Sequence, residues 1–171
     1  MRIYLYGLPG SGKTTLGIQL AEKLNLDFID LDKEIVDYEK KSIPEIFSEK
    51  GEDYFREVER TIVQTSDKFN EAVIATGGGA PCFFDNETVM SQLGFTVFID
   101  VSPQEIVNRM FNNLQNIEDR PLLNGKSKDQ IIEEISNKHQ ERMSYYSKAN
   151  VHIKDDNLTI DKLLELVTSS I

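Results

Sequence analysis

Residues that usually mark redox or metal chemistry are almost missing from this chain of 171 residues, which has one cysteine (Cys82), no tryptophan and two histidines, His139 and His152. A single thiol excludes an intramolecular disulfide, and two histidines without a cysteine cluster give no transition-metal spacing. Long apolar runs are missing too: no uninterrupted stretch approaches the roughly 18 residues that suggest a membrane span. The first strand pattern begins at Ile3, so no signal peptide is expected and the cytoplasm is the expected compartment. Positive charge is in short supply, with 19 Lys and Arg against 29 Asp and Glu and a net charge of −10. That balance argues against nucleic acid or an anionic membrane as partner, since both need a basic face. No proline-rich, repetitive or low-complexity segment interrupts the chain, and its length suits one domain, residues 1–171, with a substantial core.

What is present starts at residues 7–15, Gly-Leu-Pro-Gly-Ser-Gly-Lys-Thr-Thr, a full match to G-x-x-x-x-G-K-[ST]. Ile3, Tyr4, Leu5 and Tyr6 before it read as a strand, and Leu16, Leu20 and Leu24 after it recur on one helix face. Strand, glycine-rich turn, helix is the setting of a phosphate-binding loop; the alternative is a turn that merely links two elements. In the functional reading, Gly10, Ser11 and Gly12 turn their N–H groups inward beside the positive end of the helix. Lys13 reaches the β- and γ-phosphates, Thr14 offers its hydroxyl to Mg²⁺, and Thr15 adds a phosphate contact.

A nucleotide site must be locally positive in an acidic chain, which draws attention to the six arginines: Arg2, Arg56, Arg60, Arg109, Arg120 and Arg142. Guanidinium is a rigid fork for carboxylate or phosphate, so these are better site candidates than the thirteen lysines, with an exposed ion pair as the alternative for each.

Residues 26–30 form a second strand that ends in Asp30, with Asp32 two residues on. At the carboxyl end of a parallel strand both carboxylates face the ligand crevice, where one can hold Mg²⁺; alternatively Asp32 caps a helix beginning at Lys33. Residues 33–69 are helical, broken near Ser42, Ile43 and Pro44 and again at Gly51, and make Arg56 a candidate acceptor contact. A third strand, residues 72–76, runs into Gly77, Gly78 and Gly79, which suits close backbone approach to a ligand or, alternatively, a flexible turn. Residues 94–100 end a fourth strand in Asp100, in the manner of a Walker B strand. Any buried parallel strand with an acidic end has that shape, so Asp30 and Asp32 are preferred for the metal. A helix from Pro103 to near Leu114 precedes a polar segment, residues 115–128, that reads as a lid carrying Arg120. A helix over residues 129–146 with Arg142, a short fifth strand at residues 151–153 and a final amphipathic helix complete an α/β alternation.

In order, the P-loop, Phe28-Ile29-Asp30-Leu31-Asp32, Phe55-Arg56-x-x-Glu59, Gly77-Gly78-Gly79, Arg120-Pro121-Leu122-Leu123 and Arg142-x-x-x-Tyr146 resemble the motifs of the shikimate kinases, across nearly the whole chain. The resemblance implies a three-layer α/β/α P-loop kinase of the nucleoside-monophosphate-kinase type, with a five-stranded parallel sheet in the order 2-3-1-4-5. It implies transfer of the ATP γ-phosphoryl to the 3-hydroxyl of shikimate in aromatic amino-acid biosynthesis, with Mg²⁺ required and a monomer expected. By position it gives ATP to residues 10–15 and Mg²⁺ to Thr14 and Asp30. It gives shikimate to Asp32, Arg56, Arg142 and the loop of Gly77, Gly78 and Gly79. Arg120 comes from the lid onto the phosphates and Arg109 lies against adenine. Lys13, Asp32 and Arg120 are the implied catalytic groups. The chain departs from the family at Ser144, where proline is usual, at Asn150, where aspartate is usual, in a somewhat long spacer between Arg109 and Arg120, and at Thr14, where serine is commoner. A gluconate-type kinase would lack the Arg56 and Arg142 pair about a triple-glycine loop. A regulatory GTPase would show N-K-x-D, whereas Asn137-Lys138-His139-Gln140 lacks the aspartate.

Overall fold

The computed structural model of the protein describes residues 1–112 and 126–171. Its centre is β1 (Arg2–Tyr6), whose Ile3, Tyr4, Leu5 and Tyr6 are wholly buried, as in a strand covered on both faces. β1 lies between β3 (Ala72–Ala75) and β4 (Phe95–Asp100), with Ile3 opposite both Val73 and Phe95. β2 (Asp27–Asp30) pairs outside β3, and β5 (Val151–Lys154) outside β4. All pairings are parallel and the order is β2-β3-β1-β4-β5, the order the motif resemblance implies. In an open parallel sheet, ligands bind beyond the carboxyl ends of the strands where the chain order reverses, here between β1 and its two neighbours.

Helices α1 (Lys13–Leu24) and α7 (Ile160–Thr168) pack together, as do α5 (Pro103–Asn112) and α6 (Lys128–Tyr146), and as do α3 (Ile43–Gln64) and α4 (Asn86–Leu93). Their buried stripes, such as Ile106, Val107 and Met110 of α5 or Leu163 and Val167 of α7, close the core around the sheet. Among the described residues no helix is long and apolar enough to cross a membrane.

Three helix starts bear on the site. α2 (Leu31–Glu39) begins at Leu31 rather than Lys33, because the Asp30 carboxylate accepts the Asp32 N–H at 3.0 Å and caps it. Such a cap is worth about 1 kcal/mol. Capping therefore falls to Asp30, and the Asp32 side chain is left for other work. α3 begins with a reciprocal capping box between Ser42 and Glu45, has Pro44 in its first turn, and kinks at Gly51, where φ is +80°. α6 opens on a second capping box, Ser127 with Gln130, and continues through Ser144 to Tyr146. Proline at 144 would have no backbone N–H to give such a helix. Asn150, at another departure from the family pattern, accepts hydrogen bonds from the Thr96 N–H and hydroxyl, tying the start of β5 to β4.

Candidate active site

The chain leaves β1 at Tyr6 and enters α1 at Lys13, turning through Gly12, the α1 N-cap, at φ +95°. A side chain strains this left-handed conformation, so glycine is needed for the turn that aims the N-terminus of α1 into the crevice. The loop borders a cavity of about 610 Å³ that also reaches Asp30, Asp32, Gly78 and Arg109. Gly10, Ser11, Gly12, Lys13, Thr14 and Thr15 all line it. Lys13 is buried, and its ammonium donates to the carbonyls of Gly7 (2.8 Å) and Leu8 (2.9 Å). Burial pushes its pKa down to about 8, against the opposing pull of Asp32 and Asp30. An anionic ligand in the cavity would give this cation a partner of opposite charge.

On the side of α5, Arg109 also lines the cavity. It donates to Glu105 at 2.9 Å, to the Ser11 carbonyl at 3.4 Å and to the Asp156 carbonyl. Asp156 accepts from the Ser102 N–H and hydroxyl, both at 2.7 Å, and so holds the segment after β5 against the start of α5. Val101, Ile106, Met110 and Leu158 supply an apolar wall beside Arg109, suited to the flat face of a base. Sequence periodicity marks Ile106 and Met110 as core, and nothing in it brings Leu158 to the crevice.

At the opposite end, β3 runs into the triple-glycine loop. A side chain at Gly79 would put its first carbon 2.6 Å from Arg56 Nη1, and one at Gly78 would put it 3.1 Å from Arg142 Nη1. One at Gly77 would come within 2.7 Å of Asp32 Oδ1 and 3.1 Å of Glu59 Oε1. Glycine is thus required by close approach: two guanidinium groups and two carboxyl groups, from α2, α3 and α6, converge on these three residues. Arg56 donates to Glu59 at 2.8 Å and to Glu52 at 3.2 and 3.0 Å, and lies over the Phe83 ring at 4.0 Å. Glu59, 2% exposed, orients Arg56; the sequence places it in a motif but gives it no role. Burial pushes its carboxyl up, and the Arg56 guanidinium opposes that shift. Burial and then the neighbouring Asp30 likewise push the Asp32 carboxyl above its ordinary value, with Lys13 and Arg56 pulling the other way. The Gly78 carbonyl accepts the Tyr146 hydroxyl, which fixes the loop to α6.

Asp100, at the end of the Walker B-like strand, is not among the residues lining the cavity, and its two carboxylate oxygens are taken by His139 and His152. Arg120 and the segment read as a lid, apart from residues 126–128, lie outside the described residues.

A P-loop that borders one cavity with Asp30, Asp32 and Gly78, beside a glycine loop flanked by two arginines, is the arrangement expected of a P-loop kinase acting on a small acidic acceptor. A family model for shikimate kinase matches residues 9–171, and the chain belongs to that family. It is 44% identical over 150 residues to the shikimate kinase of Bacteroides fragilis, covering 88% of this chain and 82% of that one. It is 41% identical over 170 residues to that of Phocaeicola vulgatus, covering 99% and 95%. Among solved structures, the shikimate kinase of Bacteroides thetaiotaomicron superposes with a TM-score of 0.90 at 39% identity over 98% of both chains. The shikimate kinase of Acinetobacter baumannii, solved in complex with shikimate, gives 0.82 at 31% identity over 98% of this chain and 93% of that one.

Proposed function

We infer that the chain, as one domain, transfers the γ-phosphoryl of ATP to the 3-hydroxyl of shikimate, releasing ADP and 3-phosphoshikimate. The observation that carries the acceptor assignment is the pair of guanidinium groups, from α3 and α6, set against one glycine loop whose Gly78, like Asp32, borders the cavity of the P-loop. Two arginines suit one carboxylate, and shikimate has one carboxylate at the end of its ring remote from the hydroxyls. Binding by that end leaves the hydroxyls toward Asp32 and the phosphates.

Phosphoryl transfer passes through a loose transition state, so the protein's main tasks are in-line placement and charge neutralisation. Lys13 moves from its loop carbonyls onto the β- and γ-phosphates, and the N–H groups of residues 10–15 hold the remaining oxygens. Arg109 with the apolar wall receives the adenine. The Thr14 hydroxyl and the Asp30 carboxylate, which spends only one hydrogen bond on its cap, are hard oxygen donors lining the same cavity, and they fit Mg²⁺. When bound there with nucleotide, the ion would supply charge neutralisation at the phosphates. Asp32 orients the attacking hydroxyl and accepts its proton late in the transfer. Arg120 contributes a further guanidinium to the transferring phosphate. Every one of these groups comes from one chain, which suits a cytoplasmic monomer.

The acceptor assignment is tested by titration calorimetry with shikimate and with its methyl ester, which keeps the hydroxyls and removes the charge. Shikimate should bind and the ester should bind at least about tenfold more weakly, the worth of one charge-assisted contact. Equal affinities would remove the two arginines from acceptor recognition.

A further inference from the structure

Outside the site, the only two histidines of the chain meet on one buried carboxylate. Asp100 is 3% exposed at the end of β4, and its two oxygens lie 2.7 Å from His139 Nε2 and 2.8 Å from His152 Nε2. A carboxylate only accepts, so each imidazole carries a proton on Nε2 and donates it. His152 belongs to β5 and stacks on Phe98, with ring centroids 4.5 Å apart. His139 belongs to α6, one turn before Arg142.

The placement on α6 is informative. Ile131, Ile135, His139, Arg142 and Tyr146 follow at intervals of four, four, three and four, so they share the face turned to the rest of the molecule. The fully buried side chains of that face are Ile131 and Ile135, then none until Tyr146 at the helix end. Between them the helix is fixed to the sheet by the His139 to Asp100 bond, and at its end by the Tyr146 hydroxyl on the Gly78 carbonyl. Arg142 sits between these two polar pins, with its Nη1 against Gly78. Its side chain lies beside the Tyr146 hydroxyl on the same helix, so the placement of α6 sets where the guanidinium stands.

We propose that His139 is a positioning residue for acceptor binding, holding α6 on Asp100 so that Arg142 is presented to the acceptor carboxylate at the glycine loop. The inference rests on the reading of Arg142 as an acceptor contact. His152 uses the other oxygen of the same carboxylate from an edge strand and has no part in this task, which supplies an internal control.

The test compares steady-state constants and melting temperatures for His139→Ala, His139→Gln, His152→Ala, Arg142→Ala and the double variant His139→Ala/Arg142→Ala. His139→Ala should raise the shikimate KM about three- to tenfold, the scale of one lost hydrogen bond, with kcat and the ATP KM changed less than about twofold. His139→Gln, whose amide can donate at similar reach, should restore most of the loss. His152→Ala should leave the shikimate KM near its starting value, and His139→Ala should add nothing in the Arg142→Ala background. If His139→Ala does not fold, His139→Asn, whose shorter amide stops short of Asp100, takes its place. An unchanged KM in His139→Ala, an equal rise in His152→Ala, or a full effect persisting without Arg142 would each overturn the proposal while leaving the site reading intact. An unchanged KM in Arg142→Ala would overturn the site reading, and this inference with it.

Discussion

Replacing Arg56 by lysine keeps the charge and removes the fork, and the surroundings of Arg56 show what that should cost. Of the five N–H groups of a guanidinium, Glu52 and Glu59 occupy three, leaving one on each terminal nitrogen for an acceptor carboxylate. The plane is held by the Phe83 ring at 4.0 Å, and the side chain is only 12% exposed, so those two donors are pre-aimed. An ammonium has its donors on one atom. If it stays with Glu59 it reaches the acceptor with one hydrogen bond at best. Loss of a charge-assisted contact amounts to roughly 1.5 to 3 kcal/mol, about 10- to 150-fold in affinity. Glu59, 2% exposed, keeps a cation beside it, which makes lysine a cleaner probe than alanine: alanine would orphan a buried carboxylate and confound binding with folding. A coupled assay of ADP release, titrated in shikimate at saturating ATP, should show a shikimate KM raised at least tenfold with the ATP KM nearly unchanged. A shikimate KM within about twofold of the parent protein would return Arg56 to the role of a structural ion pair.

Asp32→Asn should lower kcat by roughly 10²- to 10⁴-fold with ATP binding and melting temperature nearly intact, because Asp30 and not Asp32 caps α2; normal turnover would leave Asp32 without a chemical role. Asp30→Asn keeps a good capping residue, so the fold should hold while half-saturation shifts to higher Mg²⁺; an unchanged Mg²⁺ titration would take Asp30 out of the metal site. Because burial raises the Asp32 carboxyl and the ionised form is the one that accepts a proton, kcat/KM should fall on the acid side at a pH above the ordinary aspartate range, and that limb should vanish in Asp32→Asn. Lys13 works as a cation and its pKa is lowered to about 8, so affinity for ATP in the free enzyme should weaken as pH rises through about 8; a flat profile to pH 10 would contradict the burial of that ammonium.

The P-loop, the parallel sheet and the break at Gly51 were legible in the sequence because each is written in adjacent residues: a glycine spacing, apolar runs, a glycine inside a helical pattern. The choice between Asp30 and Asp32 as cap was not, since two acids two residues apart both qualify and only backbone geometry decides which carboxylate turns back onto the N–H. α4 offers only Val89, Met90 and Leu93 over eight residues, too few turns for a helical period to stand out. The clustering of Arg56, Glu59, Asp32 and Arg142 at three glycines draws on four elements, and the bonds of Asp100 to His139 and His152 join residues 39 and 52 positions apart. No local pattern encodes such pairs; they follow once strand order places β4 between β1 and β5.

Phosphorylation of shikimate by this chain is the activity on which every residue role above depends. It is tested most directly by incubating the protein with ATP and Mg²⁺ alone, with shikimate, or with gluconate, measuring ADP and locating phosphorus in the product by ³¹P and ¹H NMR. ADP release should depend on shikimate, with one phosphate per ADP and phosphorus coupled to the proton at C3. Equal ADP release without shikimate, or faster turnover with gluconate, would contradict it.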